Sequence, residues 1–155
     1  MSSNLTPSAS SFIDRPEPYL TQAGDVLFLD RGHRLDAVAV PELPPNTIAT
    51  GYSFILRPNL RVMLPEYLAW SLNQPDSRAS LRPFHRGGHI PMVSRSDVEE
   101  LRIQVPPLDV QRRILTLNNL LDQEHRLFAA IQEKRGLLGQ AVSRKLMRVA
   151  RLSES

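Results

Sequence analysis

Apolar positions along this chain follow two regimes that meet at Pro106-Pro107. Before that point the apolar runs are short and broken by prolines and glycines. Val26 to Leu29 lies between the turn residues Ala23-Gly24-Asp25 and Arg31-Gly32, which predicts a strand. AVAV (37–40) predicts another, and PELPPN (41–46) is a loop because its three prolines cannot sit in a sheet ladder. TIATGYSFILRP holds two strand-like pieces around Gly51, and LRVML (60–64) is expected to extend the sheet. LPEYLAWSLNQP reads as a helix. Pro65 suits its first turn, Glu66 its positive end, Leu68, Leu72 and Trp70 its apolar face, and Pro75 its stop. Tyr67 and Trp70 are therefore expected to pack within the fold. DSRASL predicts a second short helix, ended before Pro83. HRGGHIPM is a glycine loop. In SRSDVEEL, Ser94 is placed to cap a short helix, with Asp97 at the capping-box position. LRIQV (101–105) alternates Leu101, Ile103 and Val105 and is the last strand candidate.

Pro106 and Pro107 then do two things. Each disfavours helix at the residue before it, which ends the strand, and proline is tolerated in a first helical turn, which lets the next element begin. Beyond them Ile114, Leu117, Leu121, Phe128, Ile131, Leu138 and Val142 fall at steps of 3, 4, 7, 3, 7 and 4, a heptad-like stripe with Glu124 and Arg135 in its gaps. A helix from about 109 to 150 would be roughly 60 Å long at 1.5 Å per residue. The segment before it is too small to cover that length, so the stripe calls for a helix of a second chain, parallel or antiparallel. A helical hairpin folding back on itself is the alternative, and Gly136 and Gly139, each costing about 1 kcal/mol in a helix, are where a bend or break would fall.

The expected class is α+β: a small mixed β-sheet recognition-type domain with short helices, followed by a long C-terminal coiled-coil-type helix. The expected division is a flexible Ser/Pro-rich segment at 1–18, a domain at 19–107 and the helix at 108–151. With 155 residues and 41% hydrophobic content the chain has enough for one modest core. There is no cysteine, which removes disulfides and thiol chemistry. MSSNLTPSAS has neither a basic start nor an apolar run, so no signal peptide is expected, and no apolar run reaches membrane-spanning length. The expected location is the cytoplasm, away from membranes.

Charge is uneven. Residues 1–111 hold 10 Arg against 12 Asp/Glu, while 112–155 hold 9 Arg/Lys against 4 Asp/Glu. Of the 19 basic residues, 17 are Arg, whose planar donor fork suits phosphates and guanine edges, although a GC-rich genome gives the same bias. Catalysis is not supported: no Gly-x-Ser-x-Gly, phosphate loop, cysteine nucleophile or Pro-Pro-Tyr-like methylation stretch is present. His85 and His89 stand four apart, but two glycines and no nearby acid make a poor metal set, so neither metal nor cofactor is expected. RKLMRVAR (144–151) would track phosphates or complement its own helix dipole.

The order of elements resembles the specificity (S) subunit of type I restriction–modification systems, in particular one target-recognition domain with its following long helix. GDVLF (24–28) with RG (31–32), FILRP (54–58) and LPEYLAWSLN (64–73) match its early segments. FHRGGHIPMVSRSDVEELRIQVPPLDVQRRI (84–114) matches its most specific stretch, with Pro106, Pro107, Leu108, Gln111 and Ile114 on the proline–glutamine pattern and Val110 where the family usually has an acid. The resemblance covers about residues 20–150. The family's usual subunit holds two such units and a longer part before the GD segment, so this chain looks like a short half-subunit.

The resemblance implies a non-catalytic subunit that reads double-stranded DNA and docks DNA methyltransferase subunits, with a restriction/translocase subunit where the system has one, in DNA modification and phage defence. It further implies a homodimer through the long helix, reading a bipartite site. The residues favoured for DNA contact are Arg31, His33 and Arg34, and, around the glycine loop, Arg82, His85, Arg86, Gly87, Gly88, His89 and Arg95. Their structural alternative is pairing with Asp30, Asp36, Asp97 or Glu99. The residues favoured for partner or dimer contact are Gln111, Ile114, Leu117, Leu121, Phe128, Ile131, Leu138 and Val142. Two rivals are a truncated recognition-like protein that only binds or regulates a coiled-coil partner, and the recognition end of a fused methyltransferase. A dimeric transcription regulator would need a helix-turn-helix signal, which the sequence does not show.

Overall fold

The computed structural model describes residues 13–14, 20–31, 35–42, 44, 48–49, 52–81, 84–85 and 91–153. The chain divides into two compact units, Met1–Leu115 and Thr116–Ser155.

The first unit is built on a four-stranded sheet in the order β1-β4-β2-β3, from β1 (Ile13–Asp14), β2 (Val26–Leu29), β3 (Ala37–Ala39) and β4 (Ser53–Pro58). Every described pairing is antiparallel, so the fold is α+β as expected while the sheet is not mixed. Part of the segment expected to be an irregular lead-in contributes β1, which pairs with Arg57 and Pro58. Gly24 starts β2 from a turn with φ +86°, a conformation a side chain would strain. The alternation of β2 puts Val26 and Phe28 into the core, where α1 (Pro65–Leu72) covers the sheet with fully buried Leu68 and Leu72. Each such buried leucine contributes about 2 kcal/mol of hydrophobic stabilisation. Tyr67 and Trp70 pack as expected, with ring centroids 5.4 Å apart.

Three strand expectations are corrected. Of the two pieces around Gly51, Ser53–Pro58 is a strand, and among the described residues of the other Ile48 makes a single bridge to Leu20. LRVML does not extend the sheet. The Asn59 carbonyl accepts from the N–H groups of Val62 and Met63, and its side chain accepts from Arg61 N–H, so the chain turns there and only Met63 is buried. LRIQV keeps the period of a strand, with Leu101 and Ile103 buried, but forms only a single bridge, at Arg102, and no named strand.

Two polar side chains hold this unit's edges. Asn73, just past α1, accepts from Ala37 N–H at 2.9 Å and donates to its carbonyl at 2.8 Å, so a side-chain amide completes β3 where a strand would. Asp25, fully buried, accepts two bonds from Arg57 at 2.7 and 2.9 Å and one from Gln22 N–H.

After α2 (Pro75–Ser80) come the hairpin strands β5 (Phe84–His85) and β6 (Pro91–Met92) and then α3 (Arg95–Glu100), whose N-terminus carries the expected Ser94/Asp97 capping box. α4 (Leu108–Ser153) follows Pro106-Pro107, and the Pro107 carbonyl accepts the bond from Gln111 N–H. It is one continuous helix. Neither the hairpin alternative nor a break at Gly136 or Gly139 occurs, and a methyl group at either glycine would meet nothing within 4 Å. Among the described residues no helix is long and apolar enough to cross a membrane.

Candidate nucleic-acid interface

The end of β2 brings two of the residues that the sequence nominated from separate places, Arg31 and His85, onto neighbouring segments. Asp30 N–H donates to the Tyr52 carbonyl, Val93 N–H donates to the Asp30 carbonyl at 2.8 Å, and Arg31 bridges to Met92. The backbone thus lays the Arg31 segment beside the β5–β6 hairpin, whose pairs are Phe84 with Met92 and His85 with Pro91. Arg31 and Met92 are 61 positions apart in sequence, and this end of the sheet joins them.

Arg31 is held on two sides. Its Nε and one terminal nitrogen donate to the two oxygens of Asp30 at 3.0 and 3.4 Å, and its guanidinium carbon lies 4.2 Å from the centre of the Tyr52 ring. Asp30 is buried while Tyr52 is 58% exposed. The bond to Asp30 raises the arginine's pKa first and most, with the charges of Asp30 and Tyr52 adding to it and partial burial opposing it. Of the five N–H donors on a guanidinium, Asp30 takes two, leaving the end-on fork on the side away from that carboxylate. A carboxylate buttress and a cation–π stack together fix the plane of that fork. Tyr52 was missing from the sequence reading, since an isolated tyrosine after a glycine carries no pattern that marks a stacking partner.

The other nominated contacts divide. Arg95 opens α3 and pairs with Glu99 at 3.0 Å, one of the alternatives the sequence left open. His85 lies in β5. His33, Arg34, Arg82, Arg86, Gly87, Gly88 and His89 lie outside the described residues.

The helix residues divide as well. Gln111 is fully buried. Its Oε1 accepts from Leu64 N–H at 2.9 Å and its Nε2 donates to the carbonyls of Val62 and Pro106, both at 2.7 Å. It therefore clasps the β4–α1 turn to the helix start inside the first unit and has no surface to offer a partner. Ile114 is half-buried against the same core. In the second unit Leu117, Leu121, Phe128, Ile131, Leu138 and Val142 are all exposed, from 45% at Leu121 to 65% at Leu138. At 3.6 residues per turn they share an arc of about 100° with the exposed Leu120 and Leu146.

An α+β unit with an oriented arginine at one end of its sheet, followed by a long helix with an exposed apolar face, is the class these features define. No protein-family model matches the chain, and no curated protein does. Among solved structures it is similar to the HsdS subunit from Thermoanaerobacter tengcongensis, with 27% identity, a TM-score of 0.59, and coverage of 79% of this chain and 34% of that one. It is equally similar to a chain from a structure describing complex assembly and conformational transition of the type I R-M system, with 27% identity, a TM-score of 0.60 and the same coverage. The resemblance to type I specificity subunits read from the sequence therefore holds at the level of structure. The chain spans about a third of the length of the solved chains it matches.

Proposed function

We propose that this chain is a sequence-specific DNA-recognition and scaffold subunit of a type I restriction–modification-like system, itself without catalytic activity. The observation that carries this reading is the shared fold at 27% identity over 79% of the chain. The first unit reads double-stranded DNA through the edge at Arg31 and the β5–β6 hairpin. The second unit's apolar face pairs two copies and offers a docking surface to DNA methyltransferase subunits, with a restriction/translocase subunit where the system has one. Two recognition units would then read a bipartite site separated by a spacer. A cytoplasmic role in DNA modification and phage defence follows from that assembly.

Arg31 is the residue best prepared for a base edge. Its end-on fork can pair with O6 and N7 of guanine, a contact worth about 1–3 kcal/mol of discrimination. Replacing Arg31 with Ala is expected to weaken binding of the preferred duplex about tenfold, read by direct titration. An unchanged affinity would remove it from the interface.

The deciding experiment is co-purification with the methyltransferase encoded beside this chain, followed by methylation sequencing of DNA from cells expressing the pair. A discrete methylated motif that vanishes when this chain is omitted supports the reading. A complex that forms without any motif favours the partner-binding protein instead.

A further inference from the structure

Charge divides α4 lengthwise into two halves. Residues 108–133 hold three basic side chains, Arg112, Arg113 and Arg126, against four acidic ones, Asp109, Asp122, Glu124 and Glu133. Residues 134–153 hold six basic side chains and no acid. Four of the six share one face. At 100° per residue Lys134, Arg144, Lys145 and Arg148 fall within an arc of about 100°, centred about 120° around the helix from the middle of the apolar arc. All four are exposed. None makes an ion pair among the described residues. The bond from Arg144 Nε to the Gln140 carbonyl, at 3.4 Å, leaves that arginine's terminal nitrogens open.

Basic residues near the end of a helix can complement its dipole or contact phosphates, and the geometry separates the two. The dipole's attraction falls off within the last turn, and α4 ends at Ser153. Arg148, Lys145, Arg144 and Lys134 stand 5, 8, 9 and 19 residues before that end, so the dipole accounts for none of them. Neighbours within the helix do not account for them either. The positions three and four residues away from each hold no carboxylate. Arg148 instead stands three residues from Lys145 and four from Arg144, spacings at which like charges repel and destabilise the bare helix. An anion lying along the face relieves that repulsion. We propose that Lys134, Arg144, Lys145 and Arg148 form a stripe that contacts the phosphates of double-stranded DNA without regard to its sequence. From Lys134 to Arg148 the stripe runs about 21 Å. A protein surface matching it would have to be acidic over that whole length. A duplex is so by constitution, with one negative charge per about 1.7 Å of its axis. Because stripe and apolar arc point in different directions, a helix packed on the arc leaves the stripe open to a duplex.

This inference rests on duplex DNA being the ligand proposed above and adds a second contact, outside the first unit and blind to sequence. The test is a titration of the full chain with a fluorescent duplex of arbitrary sequence, repeated from about 0.05 to 0.3 M salt. Each lost phosphate contact makes the plot of log affinity against log salt shallower by about 0.9. Lys134→Gln/Arg144→Gln/Lys145→Gln/Arg148→Gln should therefore flatten it by about 3–4 and weaken binding at about 0.1 M salt at least a hundredfold, for every sequence alike. Glutamine is nearly as good a helix former as lysine or arginine, so ellipticity at 222 nm should match wild type. Arg144→Lys/Arg148→Lys keeps the charge and should keep the slope. Arg113→Gln/Arg126→Gln removes two charges from the other half of α4 and should also keep it. An unchanged slope in the fourfold variant would overturn the proposal. So would an equal loss per charge in the Arg113/Arg126 variant, which would make net charge the cause. Intact duplex binding with lost capture of the methyltransferase would assign the stripe to an acidic protein surface instead. Base reading is scored separately, because Arg31→Ala should lower affinity for the preferred duplex alone and change the slope by no more than about one contact. If no preferred duplex exists, base reading fails while the slope change of the fourfold variant still stands.

Discussion

Gln111 makes the strongest quantitative prediction, because one side chain serves three backbone groups. Replacement by Met keeps the length and much of the volume, so a cavity adds little. What changes is the pairing. Leu64 N–H and the carbonyls of Val62 and Pro106 lose the bonds they make at 2.9, 2.7 and 2.7 Å around a fully buried site. A buried polar group without a partner costs about 1–3 kcal/mol, the carbonyls less than the N–H. The sum is about 3–5 kcal/mol, a large part of the 5–15 kcal/mol typical of a folded domain. The chain's single tryptophan, Trp70, sits half-buried in α1 and reports unfolding of this unit without labelling. With a urea dependence of about 2 kcal/mol/M, Gln111→Met should lower the fluorescence midpoint by about 2 M. A shift under about 0.5 M would mean that the three bonds are replaced by water, and that the glutamine does not clasp the turn to the helix.

Three further predictions follow the same logic. Asp25→Ala removes the buried acceptor of Arg57 and Gln22 N–H and should cost about 2–4 kcal/mol, read as a lower thermal midpoint. Asn73→Ala unpairs both backbone groups of Ala37 and should cost about 1–3 kcal/mol, with faster amide exchange at Ala37 as its local signature. Gly136→Ala with Gly139→Ala meets no neighbouring atom and should stabilise that part of α4 by about 1 kcal/mol per site, seen as later loss of ellipticity at 222 nm on heating.

Local signals in the sequence carried much of this structure. Pro65 and Pro75 framed α1, Ser94 with Asp97 marked α3, and the stripe from Leu117 onward marked a helix that the structure shows unbroken. What it did not carry depends on partners distant in sequence. The alternation in LRVML and LRIQV reports burial on one side, which a strand and an extended segment share, and only the presence of a neighbouring strand separates them. Gln111 was visible as part of a motif, but its bonds go to a turn 47 and 49 residues earlier, so a buried clasp looked like one more helix-surface position. Asn73 reads as a helix stop, and nothing local says that its amide fits the edge of β3. At the candidate interface the Arg-Gly pair exposed Arg31, whereas Asp30 and Tyr52, which orient it, were unremarkable without the fold.

The side-chain clasp on β3 has a consequence in time. Ala37 and Asn73 are 36 residues apart in sequence. At a synthesis rate of about 5–20 residues per second, the edge of β3 therefore waits on the order of 2–7 seconds for the amide that closes it. For that interval both backbone groups of Ala37 are open to any other extended segment, including one from a neighbouring nascent chain. The turn at Val62 and Leu64 waits for Gln111 in the same way. Each closure comes from a later part of the chain than the edge it protects, so the first unit closes in steps, β3 first and the turn at Val62 and Leu64 after it, and a pause in synthesis before Asn73 would favour aggregation over folding.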